Sequence, residues 1–233
     1  MSVFRFKEFS VIQDRSAMKV GTDAMLLGSF IQPNQKGNCL EIGTGTGVIS
    51  LMIAQRSSEI KITALDIDFE SIEEAIKNFT NSPWKDRIEG VLGDFLDFST
   101  SEKFDLIVSN PPYFENGLLN ESKRKASTRH EASLPLIHLF EKSMNLLTEK
   151  GVFVLIIPAQ SAQKWIDNAL KMNLFCFKEI TIFGKSNLPK RSILFFSKEN
   201  KEIIREELII RNSDNTYTEE YKRLTIDFHG VEL

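Results

Sequence analysis

Apolar and polar positions alternate in blocks along the middle of the chain. Short apolar runs at 39–43, 61–67, 88–92 and 104–109 end in glycine, acids or polar turns and read as strands. Between the first three, 48–55 and 70–79 carry apolar residues at helical spacing, in the second case Ile72, Ala75, Ile76 and Phe79. Residues 136–147 predict another helix, with Gly151 as its stop. The run 152–157 is apolar throughout, as strands covered on both faces are, and 162–172 predicts a further helix. Such alternation means a parallel sheet with helices on both faces. The runs 174–183 and 192–198 break it, because 184–191 leaves no room for a crossover helix. They predict an antiparallel hairpin. The expected architecture is therefore α/β and Rossmann-like: a mostly parallel seven-stranded sheet with a C-terminal antiparallel hairpin and helices on both faces.

Before this core, a short strand is expected near 9–13 and a helix near 22–30, capped by Thr22 or Asp23. After Asn200 the chain is charged and irregular, with one strand candidate at 207–211. The expectation is one domain over 1–233, with an N-terminal extension (1–35) covering the active site, a catalytic core (36–200) and a C-terminal extension (201–233). Hydrophobic residues make up 42% and charged residues 26% of 233, a globular balance sufficient for one core. Cys39, in an apolar run, reads as a small buried hydrophobe. Two Cys and three His show no ligand spacing, so no metal is expected. Charges interrupt residues 1–11, and 152–157 is too short to span a bilayer, so a cytoplasmic protein without membrane contact, and a monomer, is expected.

The first strand run closes on Glu41, Gly43, Gly45 and Gly47, and a helix opens after them. Glycines at such a turn let the backbone approach a ligand and present amide donors. An acid two residues before the first glycine repels the pyrophosphate that a dinucleotide loop would hold; it suits a ligand carrying an ammonium. Asp66 ends the second run, where a carboxylate accepts the hydroxyls of a ribose. Asp68 competes with it but reads better as a helix cap. Asp94 and Phe95 follow the third run, placed to accept from an adenine amino group and to cover its ring, though Gly93-Asp94 alone is also a plain turn. All three ends fall at the carboxyl edge of one sheet, where open α/β sheets bind ligands. The series resembles the S-adenosylmethionine pocket of class I methyltransferases over roughly residues 36–200. That resemblance implies S-adenosyl-L-methionine as cofactor, S-adenosyl-L-homocysteine as product, and no metal.

Asn110, Pro111, Pro112 and Tyr113 follow the fourth run and resemble the catalytic tetrapeptide of amino-group methyltransferases. The nitrogen of an aromatic amine or an amide shares its lone pair with a π system and is a poor nucleophile. Two acceptors, the Asn110 side-chain oxygen and the Pro111 carbonyl, each take one N–H and turn the lone pair toward a methyl held opposite. Positioning and electrostatics then supply most of the catalysis. The prolines fix φ and bias their predecessors away from helix. Tyr113 offers a ring for a planar substrate. The plain alternative is a strand-terminating Asn-Pro turn.

Phe114 follows, then Lys123, Arg124, Lys125 and Arg129 with His130 beside them, and a second basic group stands at Lys185, Lys190 and Arg191. On a chain of net charge −3 these are local patches suited to phosphates, or else a solvated loop. The segment 9–28, the Arg129-His130-Glu131 stretch and 217–228 resemble the bacterial tRNA1(Val) (adenine-37-N6)-methyltransferase family. The resemblance implies a valine tRNA as partner, with methylation of an anticodon-loop adenosine. That base is already unpaired, so turning it out costs little; it would stack on Tyr113 and Phe114. Lys19, Gly21 and Thr22 would lie over the cofactor, although Thr22 or Asp23 serves equally as a helix cap. Lys123, Arg124, Lys125, Arg129, His130, Lys190 and Arg191 would hold the RNA. Rival readings are a protein glutamine-N5 methyltransferase of release factors, which usually carries an extra N-terminal helical domain for which 1–38 is too short, and a ribosomal RNA guanine-N2 methyltransferase. A rival of another class is an NAD-type oxidoreductase or a non-catalytic binding module, against which Glu41 and the hairpin stand.

Overall fold

The structure, a computed structural model, describes residues 2–16, 18–111, 134–185 and 187–229. Two short strands, β1 (Val3–Arg5) and β2 (Ser10–Ile12), pair with each other and lead to α1 (Thr22–Phe30). Then follow β3 (Lys36–Ile42), α2 (Val48–Arg56), β4 (Glu59–Asp66), α3 (Phe69–Thr80), β5 (Ile88–Leu92) and β6 (Phe104–Ser109). Further along come α4 (Leu134–Leu146), β7 (Leu147–Pro158), α5 (Ala162–Lys171), β8 (Phe175–Phe183), β9 (Pro189–Ser197), β10 (Ile204–Ile209) and α6 (Glu219–Thr225).

The main sheet has eight strands in the order β10-β8-β9-β7-β6-β3-β4-β5. The seven expected strands are all present, with the hairpin β8–β9 antiparallel as expected. The eighth, β10, comes from the tail and pairs parallel to β8. From β3 the chain steps outward to β4 and β5, then returns to the other side of β3 for β6. The strand order reverses between β3 and β6, and such a switch point opens a crevice at the carboxyl ends.

Successive residues of the central strands feed opposite faces, because side chains alternate across a sheet. Cys39, Val108, Val154 and Ile156 join a cluster with α1, α2 and α3. Leu40, Ile107, Phe153 and Leu155 join another with α4 and α5. In the second, the Phe140 ring meets Phe153, Trp165 and Phe196 edge-on at 5.9, 5.8 and 5.4 Å between centroids. Both faces are thus covered, which keeps the site at an edge.

Three expectations need correction. Gly151 does not stop a helix: β7 starts at Leu147, directly after α4, and Gly151 lies inside it. A Cβ there would stand 2.8 Å from the Phe104 carbonyl oxygen, where the register of β6 against β7 shifts, so close backbone approach explains the glycine. The tail is not irregular. Thr218 caps α6, and Phe228 is buried under the Arg56 guanidinium, 4.6 Å from the ring centroid. Neither Thr22 nor Asp23 caps α1. Gly21 is the N-cap, extended at φ −133° and ψ 175°, with no side-chain cap bond.

Candidate active site

A cavity of about 400 Å³ opens at the switch point. The glycine loop, the ends of β4, β5 and β6, and Met18, Lys19 and Ala24 form its wall. Gly43 and Gly45 are left-handed, at φ +72° and +55°, and no atom lies within 4 Å of where a Cβ would stand. The loop is held from below. The Gly43 and Thr44 amides donate to the Leu65 carbonyl at 2.8 and 3.0 Å, and the Gly45 amide donates to Asp66 Oδ2 at 2.7 Å. The other Asp66 oxygen accepts from the Asp68 amide at 2.9 Å. Each carboxylate oxygen retains a lone pair for a ribose hydroxyl. Asp68 caps α3 through the Ser71 amide at 2.9 Å, as expected.

Gly47 plays another part. It is left-handed at φ +80°, and a Cβ would stand 2.4 Å from the Phe79 ring. It seats α2 against α3 and is not in the cavity wall. Glu41 is also absent from the wall. Its Oε2 accepts from the Thr44 hydroxyl at 2.7 Å, from the Ser50 amide at 3.1 Å and from the Ser50 hydroxyl, while Oε1 has no hydrogen-bond partner. Burial pushes this carboxyl up to about 7, against the lowering effect of the Ser50 and Thr44 bonds. Glu41 holds the loop to the first turn of α2.

At the end of β5, the Gly93 amide donates to the Asp66 carbonyl at 2.8 Å, and Asp94 Oδ1 takes the Leu96 amide at 2.8 Å. Phe95 is buried, with Lys142 Nζ 5.5 Å from its ring centroid. Ile67 belongs to the wall and is 70% exposed, an apolar side chain with no core to serve. A planar ring laid between Ile67 and Phe95 would cover it. At the end of β6, Ser109 Oγ donates to the Ile42 carbonyl at 3.0 Å and fixes the next residue, Asn110, in the wall. Among the described residues Asn110 Oδ1 is buried with no hydrogen-bond partner. An unpaired buried acceptor costs about 1–3 kcal/mol, and such atoms call for an explanation, here a ligand that brings the donor. Half-buried Pro111 follows it. Pro112, Tyr113, Phe114, Lys123, Arg124, Lys125, Arg129 and His130 lie outside the described residues.

Of the N-terminal candidates, Lys19 lines the cavity, whereas Gly21 and Thr22 do not. Asp23 accepts from Arg191 Nε at 2.9 Å. Arg191, with Lys190, Pro189, Leu188 and Pro158, lines a second, more open depression of about 570 Å³. It lies at the same edge as Asn110, two strands over, or about 10 Å. The wall also contains Met18, Ala24, Ile42, Ile49 and Ile67, none of which the sequence singles out. An isoleucine between two acids at a strand end was the signal available for Ile67. The loop hollow, the Asp66 carboxylate and the Asp94–Phe95–Ile67 group fit S-adenosylmethionine in its amino-acid, ribose and adenine parts. Among the described residues no group of three or more His, Cys, Asp or Glu could hold a metal ion, and no helix is long and apolar enough to cross a membrane.

The Methyltransferase small domain family matches residues 15–174. Relatives called tRNA1(Val) (adenine(37)-N6)-methyltransferase include one from Bacteroides thetaiotaomicron, 40% identical over 97% of this chain and 96% of its own length. Another, from Phocaeicola vulgatus, is 41% identical over 97% of each chain. Among solved structures, a predicted O-methyltransferase of Agrobacterium tumefaciens superposes with a TM-score of 0.69 at 18% identity, covering 88% of this chain and 96% of that one. A methyltransferase of Pyrococcus furiosus gives 0.55 at 24% identity, covering 75% and 80%. These two likenesses show the fold, a class I methyltransferase fold. By the matched domain and by identity along nearly its whole length, this chain belongs to the Methyltransferase small domain family and to the tRNA1(Val) (adenine(37)-N6)-methyltransferase family.

Proposed function

We propose that this chain methylates N6 of adenosine 37 in a valine tRNA, with S-adenosyl-L-methionine bound in the 400 Å³ cavity. The observation that carries the reading is the Asn110 oxygen, without a partner among the described residues and buried in the wall of a cavity whose lining suits a nucleoside-bearing ligand. Asp66 accepts from the ribose, Asp94 from the adenine amino group, and Phe95 and Ile67 sandwich the ring. Left-handed Gly43 and Gly45 make room for the amino-acid part, and Lys19 covers it. When bound, the cofactor supplies an electrophilic methyl group on sulfur.

Asn110 Oδ1 accepts one hydrogen of the target amino group, and the Pro111 carbonyl accepts the other. The two acceptors orient the lone pair and disperse the positive charge that grows on nitrogen. The nitrogen then loses a proton to solvent, so no strong base is needed at the site. Lys190 and Arg191 hold backbone phosphates beside the target nucleotide, in the depression they line. In this division of labour 1–35 covers the site, 36–200 carries the chemistry, and 201–233 braces the fold. Such an enzyme works in the cytoplasm.

The test is transfer of labelled methyl to total tRNA lacking the modification, followed by nucleoside analysis. The expected product is N6-methyladenosine in valine tRNA. Label in a guanosine, or none in tRNA while a release factor offered in its place is labelled on glutamine, would overturn the substrate assignment.

A further inference from the structure

Two polar side chains of α3 are almost wholly buried yet absent from the cavity wall. Glu74 and Asn78, 2% and 1% exposed, stand one turn apart on the same face. Glu74 Oε2 accepts from the Asp14 amide at 2.7 Å and the Arg15 amide at 2.8 Å, and Oε1 accepts from the Ser16 amide at 3.1 Å. Three successive amides gripping one carboxylate form an anion nest. Burial pushes the Glu74 carboxyl up, and the Arg15, Ser16 and Asp14 bonds more than reverse it, leaving it below the ordinary range. Asn78 Oδ1 accepts from the Ile12 amide at 2.8 Å, and its Nδ2 donates to the Ile12 and Thr46 carbonyls at 2.9 Å each. Thr46 is part of the glycine loop and of the cavity wall. The Val20 amide donates to Gln13 Oε1 at 2.8 Å and folds the segment back on itself. Met18 and Lys19, which line the cavity, lie between these anchors.

We propose that Glu74 and Asn78 are positioning residues for the cofactor: they fasten residues 12–16 to α3 and the glycine loop, so that Met18 and Lys19 stand ready as one wall of the cavity. They act without touching the ligand. A segment joined to the sheet by no strand of its own would otherwise be ordered anew at each binding event, and that ordering weakens affinity. A carboxylate is needed at 74 because all three partners are donors; an amide would turn one N–H2 against an N–H. The inference rests on the cofactor reading above, and the two fail separately.

The experiment uses the full chain and S-adenosylhomocysteine in a calorimeter, with KM and kcat measured on tRNA. Glu74→Gln and Asn78→Ala should each weaken binding about tenfold or more and raise KM for the methyl donor in step, with kcat at saturation close to the parent's. Glu73→Gln is the control. Its exposed carboxylate only pairs with Arg15 at 3.3 Å, so binding should change by less than about twofold. Normal binding by folded Glu74→Gln and Asn78→Ala overturns the inference alone; failure of the parent to bind overturns the cofactor reading with it. If the substitutions unfold the chain, amide exchange in the ligand-free parent decides. Slow exchange at Asp14, Arg15 and Ser16 supports the inference, and exchange as fast as in an unstructured loop overturns it.

Discussion

The two halves of the sheet's carboxyl edge are built differently. On the β3–β4–β5 side each turn is tied to its neighbour: Gly43 and Thr44 to Leu65, Gly45 to Asp66, Gly93 to the Asp66 carbonyl. On the β6–β7–β9 side the edge carries an unpartnered Asn110 oxygen and an open depression rimmed by exposed Lys190. The first half is organised before its ligand arrives, as suits a small molecule of fixed shape. On the proposed reading the second presents acceptors and cations to something larger that brings its own shape.

The sharpest way to break this contrast is Asn110→Ala. On the proposed reading it removes an acceptor used only by the reacting amino group. kcat should fall about a hundredfold to a thousandfold, and S-adenosylhomocysteine binding should stay within about twofold of the parent, because the tied half is untouched. Turnover close to the parent's would refute the role of Asn110 and with it the functional division of the edge.

Next in size is a pH effect confined to the tied half. Folded Glu41 holds its proton up to about 7, whereas the unfolded chain releases it near 4.5. Between those values the folded state binds more protons, so stability falls as pH rises, by about 3 kcal/mol in all, and changes no further above 7 from this group. Glu41→Gln cannot titrate. Its unpaired N–H2 costs about 1–3 kcal/mol at every pH, so the diagnostic is the difference in slope: the variant lacks the decline that Glu41 gives the parent. Denaturant melts from pH 4.5 to 8 on both proteins measure it, and parallel curves would show that Glu41 is ionised in the fold.

The tied half was also the more legible in the sequence, and the reason is locality. β5 falls on the expected residues because it is a short run with polar ends. Asp66 ends its strand and Asp68 caps the next helix, as read, because both are local acts. The sequence reads Gly47 with the other loop glycines, whereas the structure sets it against Phe79, which is distant in sequence. Glu74 and Asn78 went unnoticed for the same cause: flanking an apolar stripe, they look like surface residues until the N-terminal segment lies on them. Helix α6 hid behind its charges. Yet Glu219 and Glu220 in its first turn and Lys222 and Arg223 in its last are the arrangement a helix dipole favours.

Gly47→Ala against Gly43→Ala sharpens the contrast within one loop. Both residues are left-handed, so any side chain is strained there by about 1–3 kcal/mol. At 47 the methyl also meets the Phe79 ring, so the melting temperature should drop more than for Gly43→Ala. At 43 the methyl has open space and stands in the cavity wall, so the lesser stability loss should come with the greater loss of cofactor affinity. The reverse ranking in either measurement would mean that the glycines have exchanged roles.

The smallest effect is expected on the open half. Lys190 is exposed at the rim of the depression beside Pro158, and in the proposed reading it neutralises one phosphate. Lys190→Ala should weaken tRNA binding only modestly, and by a similar factor for different sequences. It should reduce the slope of log affinity against log salt by about 0.7, the share of one single-strand phosphate contact. Arg191 is the poorer choice for this measurement, because its Nε already donates to Asp23 and its loss would also disturb the start of α1. A salt slope unchanged in Lys190→Ala would place the RNA elsewhere.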